Sequence, residues 1–339
     1  MADPWHKQKL TIPPGLRAWL SSGYPDVSLD ADGLVALADL TTVARRTALT
    51  GTSSLLDALV LCPGLHRQQD APDLKIEYPK CAAMTTGYIF QIDNPATVLY
   101  LQNVGETGRL TTLTVTKSID EDSALTRLLR TFYDCSSTPV AATVAYLAAI
   151  SLTITVSVLM ILMQDWWALA VMGMLAFARL LNTIVVRRRA KPGWKGASEP
   201  KAQGDLFVLV SQDRWIRMRG AVNDLKAVTS GQWLRDMTFI ESSLVAFATM
   251  LVYLDAALAG NAQVEGKVLL LVLMFSSAAL LGVVNQRTDC LKMHGWLIKV
   301  QARSEIFDRK LDMVNELTKE VGKKDWAVGM NLLVEKKDQ

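Results

Sequence analysis

The sequence of 339 residues lacks the short motifs that identify most enzymes and nucleotide-binding proteins. It contains no G-x-x-x-x-G-K-[ST], G-x-G-x-x-G, G-x-S-x-G or H-E-x-x-H, the patterns of phosphate-binding loops, nucleophile elbows and zinc proteases. Histidine occurs only three times. We therefore expect a protein that is not an enzyme, with no catalytic residues, no cofactor and no metal site.

Cysteine is also scarce, and its spacing has no recognisable pattern. The sequence has no C-x-x-C and no N-x-[ST], and its start, MADPWHKQKLTIPPG, has no apolar core of a signal peptide. Isolated cysteines of this kind are typically free, buried thiols. The four are Cys62, Cys81, Cys135 and Cys290.

The sequence contains several long runs without charged residues. No charged residue lies between Asp134 and Asp165, and mean hydropathy is +0.20. A helix crosses a hydrocarbon core of about 30 Å with ~20 apolar residues. The stretch SLTITVSV alternates like a strand, but a lone strand in lipid would leave its backbone unpaired. The alternative of buried helices in a soluble protein is disfavoured, because two of the candidates are wholly uncharged. Four segments qualify as spans: 139–163, 166–186, 237–258 and 268–286.

Basic residues predict the orientation of these spans. The run LLNTIVVRRRAKPGWKG ends its apolar part at Arg187, Arg188 and Arg189. RRRAKPGWK alone is typical of nuclear import or nucleic-acid binding, but its apolar neighbourhood indicates a membrane edge. The connection 187–236 holds eleven Lys and Arg, whereas 259–267 holds one. Basic loops remain on the cytoplasmic side, so we expect both termini in the cytoplasm, the lipid bilayer as a partner and no nucleic acid.

The sequence therefore predicts an α-helical integral membrane protein with four transmembrane helices, a cytoplasmic α+β domain and a long C-terminal helix. Tryptophans at the predicted span ends, Trp166, Trp167 and Trp233, suit an aromatic belt. The predicted segments are a cytoplasmic α+β domain (1–138), a transmembrane hairpin (139–186), a basic connection with a β-hairpin (187–236), a second transmembrane hairpin (237–286) and a cytoplasmic helical tail (287–339).

Secondary structure in the first segment is predicted from local patterns. Apolar periodicity indicates helices within 33–60, and the acidic start and basic end of SIDEDSALTRLLRTFYD indicate another helix before the first span. Runs rich in β-branched and aromatic residues, separated by turn residues, indicate strands. These runs are 74–78, 85–92, 97–102 and 110–116.

The basic connection contains a second strand signal. SQDRWIRMRG predicts a hairpin that pairs with the N-terminal sheet; alternatively, Trp215, Ile216 and Met218 with their neighbouring arginines rest on anionic lipid headgroups. Together with DLKAVTSGQWL, this stretch resembles a segment of multi-pass membrane proteins of filamentous fungi. The resemblance covers about thirty residues and the placement of the spans. It implies a membrane location and no site residues.

The tail predicts a long helix. No proline follows the fourth span through Gly322, and Val300, Phe307, Val314 and Val321 repeat every seven residues. This spacing indicates a helix that packs on the protein's own domain or on copies of itself.

Charges within the spans are the candidate site. Arg179 and Glu241 lie inside the same edge of two predicted spans, and we expect them to form an intramembrane pair; alternatively, Arg179 snorkels and Glu241 is interfacial. At the other edge, Asp165 and Asp255 are candidates for an acidic outer mouth, or solvated hairpin ends.

These charges favour an oligomeric ion channel or transporter, and the alternative is a membrane-anchored interaction protein without transport activity. The partners implied are copies of the same chain or a cytoplasmic protein. A pathway requires polar groups of different spans to face one another. An anchor instead permits the hydroxyls of the first span to bond to their own helix.

Overall fold

The computed structural model describes residues 32–74, 77–117, 140–194, 196–199 and 201–333, without the side chains of 32, 33, 140 and 302–304. Short 3₁₀ segments lie at Asp32–Leu37, Leu55–Leu59, Leu65–Leu74 and Ala259–Asn261. The helices and strands, in chain order, are α1 (Thr42–Thr50), β1 (Lys80–Ala83), β2 (Ile89–Gln91), α2 (Pro95–Val104), β3 (Arg109–Lys117), α3 (Val140–Met163), α4 (Trp166–Arg189), β4 (Gln203–Val210), β5 (Arg214–Ala221), α5 (Val222–Thr229), α6 (Phe239–Leu258), α7 (Val264–Gln286), β6 (Cys290–Met293), β7 (Trp296–Ile306), α8 (Lys310–Val321) and α9 (Asp325–Gly329).

Among the described residues, four helices are long and apolar enough to cross a membrane: α3, α4, α6 and α7. They confirm the four long apolar segments predicted from the sequence, with ends that differ by about one helical turn. The alternating stretch in α3 is helical, as expected for an element without a neighbouring strand. Trp166 and Trp167 are exposed at the turn between α3 and α4, as a belt requires.

The bundle consists of two helix pairs with a further segment between them. Helix α3 packs mainly on α7, and α4 packs mainly on α6. Residues 32–74, here called the inserted segment, contact all four helices through α1 and the 3₁₀ turns. Buried apolar side chains hold it there, among them Val43, Val60, Leu61 and Leu65. The interior of the bundle is therefore filled from the N-terminal part of the chain.

In the part of the chain that the structure describes, one mixed sheet of seven strands lies beside the bundle, in the order β2-β1-β4-β5-β3-β7-β6. Strands β3 and β5 are parallel, and the other neighbours are antiparallel. The β4–β5 hairpin turns at Gln212 and Asp213, both with positive φ, the conformation that suits a tight hairpin. Its pairing with β1 and β3 confirms the predicted hairpin and its place in the N-terminal sheet.

Both faces of the sheet are covered, since alternate residues of a strand point to opposite faces. Val208 and Ile216 pack with α1, α2 and α5, whereas Phe207 and Trp215 pack with α8 and α9. Trp233 also lies in the first of these cores, where its Nε1 donates to the Gly51 carbonyl at 2.8 Å. It is a core residue and not part of an aromatic belt.

Two predictions of local structure in the N-terminal part are wrong. Residues 97–102 belong to helix α2, because the Asn94 side chain accepts a hydrogen bond from Thr97 N at 3.2 Å and Pro95 occupies the first turn. Asn94 and Pro95, which the sequence pattern predicts as turn residues, therefore begin a helix. Of the strand predicted at 74–78, residues 75 and 76 lie outside the described residues, Leu74 ends a 3₁₀ segment, and 77–78 precede the first strand, which begins at Lys80. The helix predicted from residue 118 lies outside the described residues.

The prediction of a long C-terminal helix is also wrong for the first half of the tail. Residues 290–306 form the β6–β7 hairpin, with positive φ at His294 and Gly295, and only Lys310–Val321 forms α8. Val300 of the supposed seven-residue repeat therefore lies in a strand, while Val314 packs beneath the sheet. The apolar face of α8 is covered by the protein itself.

Candidate functional site in the helix bundle

The polar interior of the bundle is organised around Asp57. Ser54 and Asp57 form a capping box at the start of the 3₁₀ turn Leu55–Leu59. Asp57 Oδ2 accepts from Ser54 N at 2.7 Å, which leaves Oδ1 directed elsewhere. Because this turn packs on α3 and α4, the capping box places a carboxylate between two of the apolar helices.

Side chains from three elements lie around Asp57, and one of them bonds to its carboxylate. The Tyr146 hydroxyl of α3 donates to Asp57 Oδ1 at 2.5 Å, and Arg179 Nε of α4 donates to the Asp57 carbonyl at 3.2 Å. The Arg46 guanidinium of α1 lies 5.7 Å from the centre of the Tyr146 ring and donates to Thr288 Oγ1 at 3.1 Å. These contacts tie the inserted segment to α3, α4 and the end of α7.

The charges of this cluster are not balanced. Two guanidinium groups, of Arg46 and Arg179, stand against one carboxylate, and Nη1 of Arg179 is buried with no hydrogen-bond partner. Burial lowers the pKa of Arg46, and the charge of Asp57 opposes this shift. Burial raises the pKa of the nearby Cys62 thiol to about 11, against the effect of Arg179. An uncompensated buried donor is costly, so the cluster is a candidate functional site.

The structure does not bring Arg179 and Glu241 together. Glu241 lies in the first turn of α6, where Thr238 caps the helix and the carboxylate accepts hydrogen bonds from Arg235. Arg188 lies 3.5 Å from the same carboxylate. The predicted pair is wrong because Glu241 has nearer partners at the helix edge, while Arg179 reaches the inserted segment.

A second polar group lies nearer the sheet. Gln69 of the inserted segment donates to the Asn182 carbonyl at 3.1 Å and accepts from Arg189 Nη1 at 2.9 Å. Arg189 Nε also donates to the Arg235 carbonyl at 2.9 Å. The last arginine of the triplet is therefore buried and structural, whereas Arg187 and Arg188 are exposed.

Asp165 is buried and holds the two loops together at the opposite end of the bundle. Its Oδ1 caps α4 by accepting from Ala168 N at 3.0 Å, and its Oδ2 accepts from Gln263 N at 2.9 Å. The close approach of α7 depends on Gly266, where a Cβ would meet Asp165 Oδ2 at 2.1 Å. Asp165 therefore caps a helix and joins two loops, whereas the sequence predicted it to be part of an exposed acidic mouth.

Asp255 lies at the same end and is also buried. It lines a small cavity with apolar side chains from the inserted segment, α4 and α7, including Ala36, Val171 and Leu270. Its Oδ1 has no hydrogen-bond partner. Asp165 and Asp255 therefore do not form an exposed acidic mouth, because both side chains are enclosed by the inserted segment and the helix ends.

Apart from Tyr146, whose hydroxyl donates to Asp57, four hydroxyls of α3 bond within their own helix. Each donates to a backbone carbonyl one turn earlier, at distances from 2.7 to 3.3 Å. This arrangement is the one that an anchor permits, and it does not create a polar face shared between helices. The four residues are Ser151, Thr153, Thr155 and Ser157.

The remaining candidate chemistry is limited in the part of the chain that the structure describes. No three His, Cys, Asp or Glu residues there are grouped to hold a metal ion. Cys62 and Cys81 are free and buried, as expected, whereas Cys290 is disulfide-bonded, which the cysteine spacing did not predict.

The chain matches no family model, no curated protein and no solved structure. Its function therefore has to be inferred from the geometry of the site. Sequence reasoning found Arg179 but missed Asp57, Tyr146 and Arg46. The available signal was the S-x-x-D pattern at Ser54, which is typical of a capping box and places Asp57 in the first turn of a short helix.

Proposed function

We propose that the chain is a membrane-anchored interaction protein, in which α3, α4, α6 and α7 span the bilayer and hold the sheet at its surface. The observation that carries this proposal is the inserted segment, which occupies the space between the two helix pairs. Its polar groups bond to the helices rather than to an open lumen. The intrahelical hydroxyl bonds of α3 support the same function.

Oligomeric transport is the second candidate, and one observation favours it. Arg179 and Asp255 each bury an atom without a hydrogen-bond partner inside the bundle. Ionisable groups within a membrane are expensive and commonly functional. A pathway would require displacement of the inserted segment or a lumen between copies of the chain.

For orientation, we propose that the sheet and the arginine triplet face the cytoplasm, because the connection between α4 and α6 is rich in Lys and Arg. The disulfide at Cys290 argues for the opposite side, since disulfides are typical of oxidising compartments. Single cysteines introduced at Trp167 and at Asp213 test this directly. Impermeant maleimide on intact cells is expected to label the first position and not the second.

Flux measurements in liposomes separate the two functions. Purified protein, with its insertion verified by protease protection, is assayed for Na⁺, K⁺ and Cl⁻ flux at both signs of voltage. We expect no flux above that of protein-free liposomes. Flux that Arg179→Ala or Asp255→Asn changes, while the exposed control Arg187→Ala leaves it intact, would establish transport instead.

The mass of the protein in detergent, measured by light scattering, gives an independent test. An anchor with a filled interior needs no second copy, so we expect a monomer. A stable assembly of several copies would favour a lumen between subunits and therefore the transport candidate.

A further inference from the structure

A small cavity lies at the end of the bundle opposite the sheet, and Asp255 is the one polar side chain among the described residues that line it. The other lining side chains are alanine, valine, leucine and methionine, contributed by the inserted segment, α4, α7 and the turn after α6. The cavity has a volume of about 10 Å³, which is room for about one water molecule. Asp255 is therefore a carboxyl group in an apolar wall.

The fold encloses this carboxyl group although its place in the sequence would permit contact with water. Asp255 lies close to the end of α6 at Leu258, ~5 Å along the helix axis. Its side chain is nevertheless only 1% exposed. Ala36 of the inserted segment and Ala259 line the same cavity and enclose the carboxyl group against α4 and α7.

The wall of the cavity offers nothing that compensates a negative charge. Oδ1 of Asp255 is buried without a hydrogen-bond partner. One water molecule could bond to it, but that water would find no second polar side chain in the wall, whereas buried waters typically make about three hydrogen bonds. An ionised carboxylate would lose its hydration here without replacement, so the group retains a proton instead.

Ionisable residues of the surrounding elements do not change this balance, because none of those that the structure describes lines the cavity. Each side chain is bonded or packed elsewhere, or is exposed at the surface. These residues are Asp165 and Arg179 of the α4 region, Glu265 and Lys267 of α7, His66 of the inserted segment and Tyr253 of α6.

We propose that Asp255 is a proton-binding site that fastens the inserted segment to this end of the bundle. The protonated carboxyl group is neutral, so Ala36, Ala259 and the apolar side chains of α4 and α7 can close over it. When the proton leaves in alkaline solution, the carboxylate must regain water, and the wall opens at Ala36. The packing of the inserted segment thus depends on pH, whichever of the two functions the bundle serves.

Infrared difference spectroscopy of the full chain in detergent detects the proton directly. The spectrum of the wild type minus that of Asp255→Asn at pH 7 should contain the C=O stretch of one protonated carboxyl group, and this band should shift in D₂O. Asp165→Asn is the matched control, since both oxygens of Asp165 accept backbone N–H groups; its difference spectrum should lack the band. Carboxylate bands for Asp255 at pH 7 would overturn the proposal.

The pH dependence of stability is an independent test. Asp255→Asn keeps the shape of the side chain but cannot ionise. Unfolding exposes Asp255 to water, where an aspartate ionises above pH ~4, so the stability of the wild type should fall relative to Asp255→Asn as pH rises from 4 to 9. A difference between the two unfolding midpoints that stays constant over this range would contradict the proposal.

Hydrogen–deuterium exchange tests the opening of the wall. Both proteins are compared at the same pH, which removes the effect of pH on exchange chemistry. Peptides covering residues 34–40 should exchange faster in the wild type than in Asp255→Asn at pH 9, and equally fast at pH 5. Equal exchange at pH 9 would show that the proton on Asp255 does not fasten the inserted segment.

Discussion

The Tyr146 hydroxyl donates a hydrogen bond of 2.5 Å to Oδ1 of Asp57, and both side chains are buried. This bond joins α3 to the inserted segment within the buried polar cluster of the bundle. The same Asp57 residue accepts from Arg179 of α4 through its carbonyl. One short turn of the N-terminal part of the chain therefore connects the two halves of the bundle.

Replacing Tyr146 with Phe should lower the stability of the protein. The substitution leaves a buried carboxylate oxygen with one donor fewer, and a hydrogen bond to a charged group contributes ~1.5–3 kcal/mol. Thermal unfolding in detergent, followed by circular dichroism, measures the loss. Tyr253→Phe is the matched control, since Tyr253 is half-exposed and its contact with His66 is through the ring. Equal midpoints for the two variants would contradict the role of the bond.

Cys62 should be a reporter of the inserted segment. Its thiol is buried beside this cluster, and burial raises its pKa to about 11, so that only about one thiol in a thousand is ionised at pH 8. We expect negligible labelling by maleimide in the native protein and faster labelling in Tyr146→Phe. Mass spectrometry of the labelled peptide gives the rate.

The reference for this experiment is Cys81. It is also buried, but it lies in strand β1, away from the bundle. Its labelling rate should be the same in the wild type and in Tyr146→Phe. If Cys62 in the native wild type reacted as fast as in urea, the inserted segment would not be held in the bundle.

Length and charge were sufficient to predict the four apolar helices, because both are local properties of the chain. The hairpin around Gln212 and Asp213 was predictable for the same reason, since its turn residues and flanking strands are contiguous. The filling of the bundle was not predictable. It depends on packing between residues 32–74 and helices that begin far later in the sequence.

The errors arose where a local pattern had two meanings. The apolar spacing of Val300 and Phe307 fits a helix, but His294 and Gly295 form a tight turn between two strands. Arg179 and Glu241 have similar predicted depths in the membrane, but similar depth does not make two side chains neighbours. Depth does not specify which face of a helix a side chain occupies, and the partners of Arg179 came from another part of the chain.

The contact between the sheet and α8 should weaken in acid. Hydrogen bonds from Arg217 and Arg219 lower the pKa of Glu320, and the first of these arginines also pairs with Asp205. A depressed pKa stabilises the fold above the unfolded value of about 4.3, and this contribution is lost as pH falls through the folded pKa. Because Glu320 is half-exposed, we expect less than ~1 kcal/mol.

Glu320→Gln tests this dependence. At pH 7 the variant should have a lower free energy of unfolding than the wild type, and the difference should shrink as pH falls below about 4.3. Glu316→Gln is the control on the same helix, at an exposed position. A difference between Glu320→Gln and wild type that stays constant down to pH 3 would show that the carboxylate charge does not stabilise α8.

The packing of Asp165 against Gly266 predicts opposite outcomes for two glycine substitutions in α7. In Gly266→Ala, the new Cβ would meet Asp165 Oδ2 at 2.1 Å and Ala168 Cβ at 2.8 Å, so α7 must shift and the bond from Gln263 N must lengthen. We expect destabilisation of ~1–3 kcal/mol. In Gly282→Ala, nothing lies within 4 Å of the added Cβ, and the higher helix propensity of alanine should leave stability equal or slightly raised. Unfolding of both variants under the same detergent conditions distinguishes them. A Gly266→Ala protein as stable as Gly282→Ala would mean that the two loops are not held together by Asp165.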